Sequence, residues 1–171
     1  MGETKIERDW LMRLPGCGEF RVLTVRETPL TLLDRLVDTP ERASEYWHGS
    51  IATDVRLNPD VESFYVLLLN ARRKILGSNL VAIGSADSVT VHAREVFRVA
   101  IVAGAVAVIL MHNHPTGDPS PSEADIKVTR DLIRAGQLLK IDVLDHVVMG
   151  QPGEGHERGF TSLRELGYFF S

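Results

Sequence analysis

The chain has 171 residues, 44% of them hydrophobic and 25% charged, which is enough apolar material to bury one full core. A net charge of −4 and a pI near 5.9 give no support to phosphate-driven nucleic-acid binding, which rests on a basic excess. The single cysteine, Cys17, excludes an intramolecular disulfide and points to a reducing compartment, expected to be the cytoplasm.

The first ten residues, MGETKIERDW, mix acids and bases and lack the apolar segment of a signal peptide. Residues 1–40 are expected to form a short N-terminal extension, with LPGCGEF as a turn and TPLTLLDRLVD as a short helical pattern. Residues 41–171 are expected to form the single main domain. Thr39 can cap a helix and Pro40 suits its first position, so ERASEYWHGSIA reads as helical.

From Glu62 the pattern becomes β-like. SFYVLLLN is rich in β-branched, aromatic and aliphatic residues and runs into the polar turn NARRK, which predicts a strand and hairpin. ILGSNLVAIG is expected to return as a second strand, its glycines marking bulges or bends. SVTVHA reads as a short third strand or its extension. AREVFRVAIVAGA follows as a helix with Val96, Ala100 and Ala103 on one face.

The longest apolar run, Val99 to Met111, has 13 residues and is interrupted by Gly104. It is too short to cross a bilayer. Its second half, AVAVILM, has the uniformly apolar, β-branched character of a central strand. Ser122 to Lys140 is predicted as a helix with Val128, Leu132, Ala135 and Leu139 on a buried stripe. IDVLDHVVMG is a further strand, QPGEGHERG a solvent loop, and GFTSLRELGYFF a tail packing back through its aromatic residues. The order predicts a mixed α/β domain with helices against a curved sheet.

The chemistry concentrates in MHNHPTGDPSPSEAD, residues 111–125. Residues two apart on a strand point to one side, so His112 and His114 project together and Asn113 projects away. Pro115 has no N–H to continue a ladder, and the turn after it leads to Ser122 at the next helix start. Asp125, one turn into that helix, can return a carboxylate to the strand end. Two histidines and one carboxylate leave an open position for water, the pattern of a catalytic zinc. Ser122 and Asp125 also fit a helix-capping pair without any metal, but that reading leaves the paired histidines unexplained. The letters H-N-H do not indicate an HNH nuclease, whose named residues are spread through a ββα motif.

HNHPTGDPSPSEAD resembles the H-x-H-P…S-x-x-D signature of the JAB/MPN (JAMM) metalloproteins, and more narrowly their RadC-like branch. SFYVLLLN, VHAREVFRVAI and IDVLDHVVMG extend the resemblance over about residues 40–169. Thr116 stands where that branch usually has serine. The resemblance implies a single mixed-sheet MPN/JAB domain of the cytidine-deaminase-like kind. It implies Zn2+ held by His112, His114 and Asp125, a glutamate outside the motif that activates water, and Ser122 stabilising an oxyanion. It also implies hydrolysis of a peptide or isopeptide bond in a protein or peptide substrate, often at a ubiquitin-like tail.

Two glutamates compete for the role of base. Glu95 is explained as a first-turn acid of its helix. Glu62 leaves room for the strand and helix that precede the motif in this family, and it is the assignment adopted. His146, on an apolar strand, reads either as a satisfied core histidine or as a support for the metal ligands, with Asp145 on the opposite face. Two other classes compete with the hydrolase: a DNA-associated RadC-like factor without proteolysis, and a non-catalytic MPN scaffold. Arg72, Arg73 and Lys74 form the only compact basic run and fit a solvated hairpin tip.

Overall fold

The computed structural model describes residues 35–86 and 89–169. The LPGCGEF turn and Cys17 lie outside the described residues, as does most of the TPLTLLDRLVD pattern. The described end of that pattern is not helical: Leu36 bridges to Lys74 in antiparallel fashion, and Val37 is buried in the core. The domain then runs α1 (Pro40–Gly49), a 3₁₀ turn (Ile51–Thr53), β1 (Ser63–Leu69), β2 (Ile75–Ile83), α2 (Ala93–Val102), β3 (Ala107–Asn113), α3 (Glu123–Leu139), β4 (Asp142–Met149) and β5 (Phe160–Ser162).

The five strands form one sheet in the order β2-β1-β3-β4-β5. β1 pairs antiparallel with both β2 and β3, β3 and β4 are parallel, and β5 closes the far edge antiparallel to β4. β1 and β3 are apolar on both faces because both faces are covered. Tyr65, Leu67, Ile109 and Met111 join Trp47 and Tyr46 of α1 in one core. Phe64, Val66, Val108 and Leu110 join Val96 and Phe97 of α2 and Leu132 of α3 in the other. The mixed α/β domain with helices packed on its sheet is as expected, and the helices cover both faces. Among the described residues no helix is long and apolar enough to cross a membrane.

Local signals account for most boundaries. The Thr39 hydroxyl accepts from the Arg42 N–H at 3.4 Å, with Pro40 at the first helical position. In the β1–β2 turn the Asn70 side chain accepts from the Arg72 and Lys74 N–H groups, at 2.8 and 3.1 Å. Register shifts in β2 fall on either side of its centre, in line with a bulged strand. The tail packs back as expected, with Tyr168 and Phe169 against Ile126, Val148 and Leu163.

Three expectations require correction. The described part of SVTVHA, residues 89–93, forms no strand, and its last residue opens α2; β2 already occupies that edge of the sheet, and Val89 and Val91 line a cavity instead. Leu139 is 45% exposed: the buried stripe of α3 is Leu132, with Val128 and Ala135 partly buried beside it, and it ends before the helix does. β5, only three residues long, was not anticipated within the tail.

Candidate metal centre

The ladder of β3 runs through His112 and Asn113 and stops there, ahead of Pro115. Its two neighbours fix where the histidines face. β1 places Phe64 opposite His112, and the rings stack at 5.9 Å with an interplanar angle of 10°. The β3–α3–β4 crossover brings the N-terminus of α3 over the carboxyl end of β3. Open α/β sheets bind their ligands in such a crevice.

Asn113 points away from the histidines, as strand parity requires. Its amide donates to the Val61 carbonyl and its oxygen accepts from the Ser63 N–H, both at 3.0 Å. Those two bonds clamp the backbone on either side of Glu62. Glu62 is further held through its own backbone, its N–H to the Ser85 carbonyl and its carbonyl to the Gly84 N–H, both at 2.8 Å. Glu62 as a whole is 8% exposed. It lines a cavity of about 260 Å3 whose walls include His114, Ser122, Asp125, Val89, Val91 and Val128. Glu95 lies elsewhere, on α2, with its carboxylate on the Arg94 guanidinium at 2.9 Å.

Asp125 serves the helix cap and the histidines at once. Its Oδ2 accepts from the Ser122 N–H at 2.7 Å and the Ser122 hydroxyl at 2.6 Å, while the Ser122 oxygen accepts from the Asp125 N–H at 3.2 Å. Its Oδ1 faces His112 Nε2 at 3.2 Å. The two readings of Ser-x-x-Asp in the sequence are therefore compatible, because the carboxylate divides its oxygens between them. The Ser122 hydroxyl hydrogen is engaged on Asp125, so service to an oxyanion would require it to turn toward the cavity.

Three donor atoms, one each from His112, His114 and Asp125, lie within 4.8 Å of one another. The His112 and His114 Nε2 atoms are 3.0 Å apart, and His114 Nε2 is 3.6 Å from Asp125 Oδ2. Tetrahedral zinc with bonds of roughly 2.0–2.1 Å separates its ligand atoms by roughly 3.3 Å. The spacings of this trio bracket that value.

The protonation pattern supports the same conclusion. His114 Nδ1 lies 2.8 Å from the Asp118 carbonyl, which can only accept, so Nδ1 carries a hydrogen and Nε2 is the nitrogen turned toward the trio. Burial pushes His112 down to about 4, against the pull of Asp125, so His112 is neutral. Burial also lowers His114, but Asp125 and the Asp118 carbonyl outweigh it and the net direction is upward. Burial works to raise Asp125; His114, His112 and Ser122 overcome it and hold the carboxyl well below its usual range. An anionic carboxylate and two imidazole nitrogens thus converge on one point, and a cation is what such a point attracts. The trio can hold a metal ion.

His146 belongs to this site rather than to a bland core. It is fully buried, and its Nε2 is 2.8 Å from His112 Nδ1. Asp145 points the other way, onto the Ser162 hydroxyl at 2.7 Å and the Arg164 N–H at 3.2 Å. Thr129, which carried no signal in the sequence, places its hydroxyl 2.6 Å from His146 Nδ1.

A mixed sheet covered on both faces, with a His–His–Asp trio at the carboxyl end of its buried parallel strand, defines an α/β domain with a site that could hold a metal ion. The sequence profile of the RadC-like JAB domain matches residues 37–168, and the chain belongs to that family. It is 39% identical over 163 residues to a UPF0758 protein of Desulforamulus reducens, covering 92% of this chain and 68% of the relative. A UPF0758 protein of Shouchella clausii is 35% identical over 170 residues, covering 93% and 68%. One of Symbiobacterium thermophilum is 48% identical over 107 residues, covering 63% of this chain and 43% of the relative. The chain therefore matches from under half to about two thirds of the length of these curated relatives.

Proposed function

We propose that the domain is a zinc-dependent hydrolase of peptide or isopeptide bonds. The observation that carries this reading is the His112–His114–Asp125 trio, with its donor atoms within 4.8 Å, opening onto a cavity that also contains Glu62. Two histidines and one carboxylate satisfy three positions of a four-coordinate ion and leave one free, which separates a catalytic from a structural zinc. Zinc bound there would supply a Lewis acid that lowers the pKa of water and polarises a carbonyl.

The remaining work falls to the chain's own residues. Glu62 accepts the proton of the attacking water and returns it to the departing amine, as general base and then general acid. Its clamped backbone limits the arc over which the carboxylate can swing. Ser122, once its hydroxyl turns from Asp125 to the cavity, donates to the developing oxyanion. Val89, Val91 and Val128 exclude bulk water from one side of the site and offer an apolar wall to a substrate side chain. The substrate is a protein or peptide whose scissile bond reaches this cavity in an extended segment, and a ubiquitin-like tail has that form.

The test is cleavage of a mixed peptide and isopeptide library by the purified chain, with Zn2+ and after chelation. Cleavage should require the metal, and Glu62→Gln should keep Zn2+ bound while losing about 10²–10⁴-fold in rate. Cleavage that persists after chelation, or a Glu62→Gln protein as active as the wild type, would refute the assignment.

A further inference from the structure

A chain of hydrogen bonds runs behind the trio and joins two of its members. The Thr129 hydroxyl donates to the Asp125 carbonyl one helical turn earlier. Having one hydrogen and having spent it there, its oxygen can only accept from the second neighbour, His146 Nδ1, at 2.6 Å. His146 therefore carries its hydrogen on Nδ1. A neutral imidazole has one hydrogen, so His146 Nε2 is an acceptor, and the group 2.8 Å away, His112 Nδ1, must be the donor. His112 is left with a bare lone pair on Nε2, the atom that faces His114 and Asp125. Each hydrogen in the sequence is fixed by the one before it, and the starting point is a backbone carbonyl that cannot donate.

Thr129, His146 and His112 are each 0% exposed, so water does not compete for their hydrogens. Phe64 closes the site from the sheet side, stacked on His112 and edge-on to His146 with centroids 5.4 Å apart. Three polar side chains in an apolar layer carry a cost that mutual hydrogen bonding offsets only when every member is satisfied. A hydrophobic trio would pack this layer with less risk, so the relay points to a purpose beyond packing.

We propose that Thr129 and His146 are positioning residues that lock His112 in the tautomer with Nδ1 protonated, so that Nε2 is permanently available to a metal ion. The proposal rests on the reading of the trio as a metal centre. The lock also ties the two ligands mechanically, because the Asp125 backbone anchors one end of the relay and the His112 ring the other. Partners that orient a metal-binding imidazole typically contribute 10–100-fold in metal affinity.

The experiment uses the full chain and Zn2+ alone, so it is blind to whether any bond is hydrolysed. Zn2+ affinity is measured by competition with a chromophoric chelator for the wild type, Thr129→Val, Thr129→Ser and His146→Leu. Long-range ¹H–¹⁵N NMR of the metal-free wild type reads the imidazole tautomers directly and needs no variant. Thr129→Val keeps the shape and removes the hydroxyl, and is expected to weaken Zn2+ by about 10–100-fold; Thr129→Ser should stay within about threefold of the wild type, in keeping with an effect of the hydroxyl itself. His146→Leu should weaken binding at least as much as Thr129→Val. Wild-type His112 should show its hydrogen on Nδ1. The proposal is overturned by wild-type His112 protonated at Nε2, by Thr129→Val binding Zn2+ like the wild type, or by Thr129→Ser failing as badly as Thr129→Val. A wild-type chain that does not bind Zn2+ overturns it together with the metal-centre reading. Normal relay results in a protein that cleaves nothing would remove only the hydrolase.

Discussion

Acidifying the metal-free protein should destabilise it well before its carboxylates are protonated. His112 is fully buried and titrates near 4 instead of 6.5, and His146 lies beside it, also well below 6.5. Between those values the unfolded chain takes up protons that the native state refuses. The stability these two neutral histidines permit is therefore complete above pH 6.5 and is lost as pH falls toward 4. At roughly 1.4 kcal/mol per pH unit, His112 alone accounts for about 3 kcal/mol at pH 4. His114 runs the other way: its folded value is raised, so its contribution is present below 6.5 and is lost as pH rises through its folded pKa. That contribution is already complete at pH 6.5, so it leaves the slope between 6.5 and 4 unchanged. Asp125 adds a separate loss lower down, because its folded value is depressed and its contribution disappears below the ordinary carboxylate range. The assay is urea unfolding of chelator-treated protein, followed by circular dichroism, at intervals from pH 7.5 to 4. His146→Leu should flatten the profile between 6.5 and 4. A wild-type stability that is constant or rises across that window would refute the picture of two buried neutral histidines.

Two further outcomes follow from the same structure. Gly150→Ala should weaken metal binding from a distance: an added Cβ would collide with the Gly117 carbonyl and come within 2.9 Å of Pro119, pushing on the turn whose Asp118 carbonyl holds His114. Equal Zn2+ affinity in this variant and the wild type would show that the turn does not set the His114 ring. Binding to duplex or single-stranded DNA should be no tighter than about 10⁻⁴ M near physiological salt. Submicromolar binding with a steep salt dependence, lost on changing Arg72, Arg73 and Lys74, would favour a DNA-associated role instead.

The clustering of His112, His114 and Asp125 was legible because each position rests on a local rule. Strand parity puts His112 and His114 on one side, and a helix start puts Asp125 one turn from Ser122. The same kind of rule located α1 from Thr39 and Pro40. What the sequence could not supply was register. Glu62 reaches the site because β1 sets Phe64 opposite His112, a pairing between residues almost fifty apart in the chain. His146 and Thr129 were hidden for the same reason: parity places His146 on a face of β4, but which face meets α3 depends on the crossover. A mid-helix threonine has no periodic signature at all. Val89 to Val91 misled because alternating β-branched residues look alike whether they extend a sheet or line a cavity, and β5 is too short to alternate.

The central claim is that His112, His114 and Asp125 hold one metal ion. Equilibrium dialysis of the metal-free chain against Zn2+, with elemental analysis, tests it most directly. The account predicts about one Zn2+ per chain, a stoichiometry set by a single four-coordinate site, lost in His112→Ala, His114→Ala and Asp125→Ala. Zn2+ retained at full occupancy in all three variants, or none bound by the wild type, would contradict it.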